Sequence, residues 1–159
     1  MLPDELQTPC LVVDLDRLER NLRSWQDAVA AHGVRFRPHI KTHKTLEVAR
    51  MQLAAGAAGI TTAKVSEAEL YVDAGFDDVV VAYPVVAEQA CARLARLAAR
   101  ARIGVNVENH VAAERLSSAA VAAEAELGVF IDLDTGLGRC GVPAGDTAQV
   151  DALADRVRE

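Results

Sequence analysis

Short β-branched runs alternate with alanine-rich stretches along this chain, and glycine or proline stands at most of the joins. The most constraining run is "DVVVAY", residues 78–83, which is apolar at nearly every position, as a parallel strand covered on both faces must be. Pro84 ends it. Comparable runs are "LVVDL" (11–15), "VRFRPHI" (34–40), "GITTAK" (59–64), "RIGVNVE" (102–108) and "GVFIDLD" (128–134). Helices are predicted between them, first over 16–31 with Gly33 as its stop. A second covers 45–55, with Leu46, Ala49 and Leu53 on one face and Gly56 closing it. Ser66 and Glu69 have the S-x-x-E spacing of a capping box and open a third, which ends at Gly75. A fourth runs over 87–101, and a long alanine-rich one ends near Leu127.

Strands alternating with helices of about 10 to 15 residues specify an α/β fold, a parallel sheet with right-handed crossovers. An open doubly wound sheet and a (β/α) barrel both satisfy that pattern. About five barrel-type strands follow the opening "LVVDL", and "DALADRVRE" at the end reads as part of a further helix. A complete eight-stranded barrel of the TIM type needs about 250 residues, so these 159 would hold about two-thirds of one, five to six strands. No linker or charge block marks a second domain, and 1–159 are read as one partial barrel domain.

Composition removes several classes of function. Hydrophobic residues make up 51% of the chain and charged ones 25%, enough apolar material for a core. The net charge of −6 leaves no basic surface for phosphate neutralisation, so nucleic acid is not an expected partner. No apolar run is long enough to span a bilayer, and "MLPDELQTPC" has neither a basic n-region nor an apolar h-region. Cys10, Cys91 and Cys140 are odd in number and widely spaced, which suits neither a disulfide framework nor a zinc clip. A cytoplasmic protein without membrane contact is the expectation.

Against this acidic background, "RPHIKTHK" (37–44) concentrates positive charge. Alternation along a strand sends Val34, Phe36 and Ile40 one way and Arg35, Arg37, His39 and Lys41 the other. His39 and Lys41 then lie at the C-terminal end of the strand, where α/β folds place their ligands. Partial desolvation and cationic neighbours favour a neutral lysine amine, which can attack a carbonyl carbon and form a Schiff base. Three other readings stay open on the residues alone. Lys41 can be a solvated loop lysine, His39 and His43 can be metal ligands if a helix places them on one face, and the basic cluster can be an anion clamp.

"TPCLVVDLDRLERNL", "RPHIKTHKTLEVARMQLAAGAAGITTAKVSEAE" and "VFIDLDTGLGRCGV" together resemble the N-terminal barrel of fold-type III pyridoxal-phosphate enzymes. Within the alanine racemase superfamily they are most similar to the D-threonine aldolase and D-serine dehydratase group, from about Thr8 to Val142. The resemblance implies that the first lysine of "KTHK" binds pyridoxal 5'-phosphate covalently. That gives the catalytic and cofactor-anchoring role to Lys41 rather than Lys44, with His39 beside it.

Gly136, Gly138 and Gly141 nominally match a dinucleotide fingerprint, but they follow a late strand rather than the first βα turn. The segment better resembles the family's "DxGxxRxG" turn, in which the arginine bonds the phenolic oxygen of the cofactor ring. Arg139 inherits that place; otherwise it pairs with Asp132 or Asp134. Asp132 is also a candidate partner for Arg35 or Arg37 across the interior. Thr62 and Lys64 share a face in "GITTAK", and Tyr83 ends a strand at the ligand side without an assigned catalytic role.

The resemblance implies a lyase acting on D-configured β-hydroxy amino acids, by aldol cleavage or by dehydration. It also implies a divalent metal held by a C-terminal β domain that this chain lacks, and a homodimer at full length. No metal ligand is assigned here, and residues 1–159 alone are expected to have little or no activity. A pyridoxal-phosphate carrier without turnover, or an amino-acid racemase of the alanine racemase kind, is the alternative.

Overall fold

The computed structural model describes residues 6–158; residues 1–5 of the opening stretch and Glu159 lie outside the described residues. Helix α1 (Leu15–Ala30) and α2 (Leu46–Ala54) come first, followed by β1 (Ile60–Thr62), α3 (Val65–Asp73), β2 (Asp78–Pro84) and α4 (Glu88–Ala98). Then come β3 (Arg102–Val107), α5 (His110–Ala122), β4 (Gly128–Ile131), β5 (Leu133–Asp134), β6 (Val142–Pro143) and α6 (Thr147–Arg158). Strands β1 to β4 form one parallel sheet in sequence order, and β5 pairs with β6 in a second, small one. A doubly wound sheet reverses its strand order. Here the order never reverses, which is the winding of a (β/α) barrel.

Register explains which residues make the core. Ile60, Val79 and Ile103 are laterally aligned, as are Thr62, Val81 and Val105, and all of these are at most 1% exposed. They pack with Ala68, Tyr71 and Val72 of α3, Cys91 and Leu94 of α4, and Ala112 and Leu116 of α5. Each such aliphatic side chain contributes about 1.5–3 kcal/mol on burial. The opposite face carries Thr61, Val80, Gly104 and Gly128 in one row, and Asn106 beside Phe130 in the next. A Cβ at Gly104 would come within 2.8 Å of the Phe130 ring, which packs across the bare glycine.

Two strand expectations are corrected. "LVVDL" pairs with nothing among the described residues: Leu11 is fully exposed, Val12 and Val13 are more than half exposed, and Leu15 already begins α1. The Asp14 carboxylate caps that helix by accepting from the Arg17 N–H at 3.0 Å. Residues 34–40 run extended beside β1 but make a single parallel bridge, His39 to Thr61. The Pro38 carbonyl accepts from the Thr61 N–H at 2.8 Å, but the proline nitrogen carries no hydrogen to donate in return, which keeps this segment from joining the ladder as a full strand. Ile40 is buried as expected, Phe36 meets Trp25 edge-on, and Val34 stays 58% exposed.

The capping box is also corrected. Lys64, not Ser66, occupies the N-cap of α3, and no side chain bonds the cap. Glu67 closes the turn instead, its carboxylate accepting from the Ala63 N–H at 2.9 Å, while Glu69 reaches across to Arg93 on α4. Among the described residues no helix is long and apolar enough to cross a membrane.

Candidate active site

All four strands of the main sheet are parallel, so their C-terminal ends share one rim. The bridge from His39 to Thr61 places "RPHIKTHK" at that rim beside β1. From there the chain turns through a 3-10 helix, Ile40–Thr42, anchored by the buried Ile40 side chain. His39 caps this turn, its Nδ1 accepting from the Lys41 N–H at 3.3 Å. That bond needs an unprotonated Nδ1. Burial, then the Lys41 charge, hold His39 below its ordinary 6.5, so the cap is intact at neutral pH.

The two lysines of "KTHK" are placed differently. Lys44 has a left-handed backbone, φ 52°, and both its N–H and that of His43 donate to the Ile40 carbonyl. For a residue with a Cβ this conformation costs about 1–2 kcal/mol. The Lys44 ammonium lies 3.1 Å from the Glu67 carboxylate. Burial alone would push the Glu67 carboxyl up, but the Ala63 N–H and Lys44 outweigh it and hold it below the ordinary carboxylate range. Lys41 is exposed and, among the described residues, joins no ion pair.

His43 turns away from His39: its Nδ1 accepts from the Thr45 N–H at 3.2 Å, and its ring faces Gln52. The two histidines flank a 3-10 turn and do not share a helical face, which removes the geometric condition for a metal pair. Among the described residues no group of three or more His, Cys, Asp or Glu could hold a metal ion.

A second cluster stands at the other edge of the rim. Beyond β4 the glycine-rich turn 135–141 connects β5 to β6. Asp134 accepts from the N–H groups of Gly136 at 2.9 Å and Gly138 at 3.0 Å, and these bonds, Gly138's first, hold its carboxyl below the usual range. Glu108, just past β3, accepts from the Gly141 N–H. With these three N–H groups bonded to carboxylates, a dinucleotide phosphate would find none free. Gly141 has φ +103°, and a Cβ there would come within 2.6 Å of the Asp134 nitrogen.

Arg139 is exposed on this turn, and its charge is favoured by Cys140 first, then by Tyr83 and Asp132. Asp132 accepts from the Asn106 amide at 3.2 Å and from the Cys140 thiol at 3.5 Å. The expected pairing of Asp132 with Arg35 or Arg37 is overturned: Arg37 is bound bidentately by Asp78, with one of the two bonds at 3.2 Å. Thr62 is likewise structural, fully buried and donating to the Val80 carbonyl at 3.3 Å, while Lys64 is exposed.

His39 and Lys41 thus stand together beside β1 at one edge of the rim, and Arg139 stands with Cys140 and Asp132 beyond β4, while Tyr83, at the end of β2 between them, acts on the Arg139 charge. Sequence reasoning missed Glu67, Glu108 and Asn106. Each is an ordinary polar residue in a run of similar ones, and only the fold shows which backbone group it meets.

The fold thus presents a singly wound parallel sheet with an exposed lysine and a glycine-turn arginine on its C-terminal rim. Residues 13–159 match the family described as alanine racemase, N-terminal domain, and the chain belongs to that family. It is 44% identical over 154 residues to D-threonine aldolase of Arthrobacter sp, covering 97% of this chain and 40% of that protein. D-threo-3-hydroxyaspartate dehydratase of Delftia sp. (strain HT23) is 38% identical over 152 residues, 93% of this chain and 39% of that one. The crystal structure of D-threonine aldolase from Filomicrobium marinum superimposes with a TM-score of 0.93 at 42% identity, over 96% of this chain and 41% of that chain. The chain therefore spans about two-fifths of the length of these relatives.

Proposed function

We propose that this chain forms the cofactor-anchoring part of a pyridoxal-phosphate-dependent lyase acting on D-configured β-hydroxy amino acids. The observation that carries the proposal is the contrast within "KTHK": Lys41 is exposed and joins no ion pair among the described residues, whereas Lys44 pairs with Glu67. The residues present fit the cofactor. A primary amine without a carboxylate partner suits an aldehyde carbon, and a fixed cation suits a phenolic oxygen. Lys41 would hold the group covalently, Arg139 would face its phenolic oxygen, and His39 would stand beside it. When bound, pyridoxal phosphate supplies an electron sink for the charge left at Cα as a bond to that carbon breaks.

The chain's own residues supply positioning. His39, neutral at pH 7, caps the 3-10 turn and fixes the backbone from which Lys41 projects. Asp134 and Glu108 hold the glycine turn on which Arg139 is carried. D-threonine and D-threo-3-hydroxyaspartate, for which the two relatives are named, share the D configuration and a β-hydroxyl, which defines the substrate class proposed here. The main sheet of four strands is open, so residues 1–159 alone are expected to turn over little or no substrate.

The test is borohydride trapping. The longest product of the gene is incubated with pyridoxal phosphate, reduced, digested and mapped by mass. A pyridoxyl group on Lys41 is expected. A product with no adduct, or with its adduct on Lys44 or Lys64, would overturn the proposal and return "RPHIKTHK" to the status of an anion clamp.

A further inference from the structure

Two primary amines three residues apart stand on and just after the turn at the rim, and each could in principle attack an aldehyde. Something must choose between them. Glu67 is 8% exposed, and its two carboxylate oxygens are used differently. One accepts from the Ala63 N–H at 2.9 Å and is fixed by the backbone between β1 and α3; the other faces the Lys44 ammonium at 3.1 Å. The carboxylate also lies close enough to His39 to act on its charge. It is therefore hydrogen-bonded through one oxygen to a rigid part of the fold and paired by charge with Lys44 through the other.

We infer that Glu67 is a positioning residue that selects the anchor lysine, by tethering Lys44 and leaving Lys41 as the one amine of "KTHK" open to an aldehyde. The inference rests on the function proposed above and adds to it a residue outside the motif that decides which nitrogen reacts. In the reaction concerned, the amine nitrogen adds to the aldehyde carbon, loses its protons, and the carbonyl oxygen leaves as water. Lys44 can enter it only after its nitrogen has left Glu67. A carboxylate bonded to the backbone does not follow it.

The experiment compares full-length Lys41→Met with full-length Lys41→Met/Glu67→Gln, each loaded with pyridoxal phosphate, reduced with borohydride and mapped by mass. The glutamine amide keeps an oxygen for the Ala63 N–H and loses the charge that holds Lys44. Little adduct is expected on Lys44 in the single variant, and about fivefold more in the double variant, the order of an ion pair of this exposure. Equal labelling of Lys44 in the two would overturn the inference. The wild-type chain gives a second measurement that needs no variant to fold: under limiting acetylating reagent Lys41 is expected to react faster than Lys44, and equal rates would also overturn it. Failure of the underlying function would look different, since wild type would then carry no adduct on Lys41 at all.

Discussion

Gly59 stands one residue before β1, where the Arg37 guanidinium passes close to the chain on its way to Asp78. A Cβ at this position would run into that guanidinium and come within 2.6 Å of the Asp78 carbonyl oxygen. Arginine can swing aside, but a strand carbonyl cannot. The Arg37 and Asp78 side chains are only 22% and 18% exposed, so displacing one leaves a partly buried charge without its partner. Gly59→Ala is expected to destabilise the protein by about 2–4 kcal/mol, combining overpacking with a broken ion pair. Urea unfolding of the full-length protein checks this. A loss below about 0.5 kcal/mol, the range of an inert surface change, would mean that the guanidinium does not pass there.

Elements were legible in the sequence where burial on both faces left a strong pattern. "DVVVAY" became β2, in the middle of the sheet, because Val79 and Val81 pack under helices while Val80 lines the other face. "LVVDL" has an equally β-branched pattern, yet no strand lies beside it among the described residues, and a pattern cannot supply its own neighbour. Residues 34–40 fell between these cases, with the correct side chains buried at Ile40 but a proline where the ladder needed a donor. The site was legible in the same uneven way. The charge on "RPHIKTHK" marked the rim correctly, whereas Glu67 was invisible because S-x-x-E spacing drew attention to Ser66 and Glu69 on the same helix. The capping role of Ser66 is open to measurement. A Ser66 N-cap would lose about 1 kcal/mol on replacement by alanine. In the structure Ser66 is exposed and caps nothing, so Ser66→Ala is expected to stay within about 0.5 kcal/mol of wild type in thermal or urea unfolding, and a larger loss would restore the capping box.

Over the whole molecule, several perturbed titratable groups gather where the 3-10 turn meets α2 and α3, which ties stability to pH through that region. His39 and His43 are both held below their ordinary 6.5, by burial first, and both use Nδ1 as an acceptor. Between their folded values and 6.5 the unfolded chain binds more protons than the folded one, so their contribution is complete above 6.5 and is lost as pH falls. Glu67, held below 4.5 despite its burial, adds a second loss at lower pH. Tyr71 acts in the opposite direction: burial raises it above 10.0, so its contribution is lost as pH rises beyond that value. Its hydroxyl donates to the Thr45 carbonyl at 3.2 Å, which pins α3 to the end of the same turn. Urea midpoints of the full-length protein are therefore expected to hold between pH 8 and pH 7 and to decline below about pH 6.5. The decline is expected to shrink in His39→Asn/His43→Asn, since asparagine keeps a side-chain acceptor and does not titrate. Because protonated His39 can no longer cap the turn that carries Lys41, pyridoxyl trapping on Lys41 is expected to weaken over the same interval. A flat profile down to pH 5 in wild type would show that neither histidine depends on its unprotonated nitrogen, and the turn would then have to be held by Ile40 and the ion pair of Lys44 with Glu67 alone.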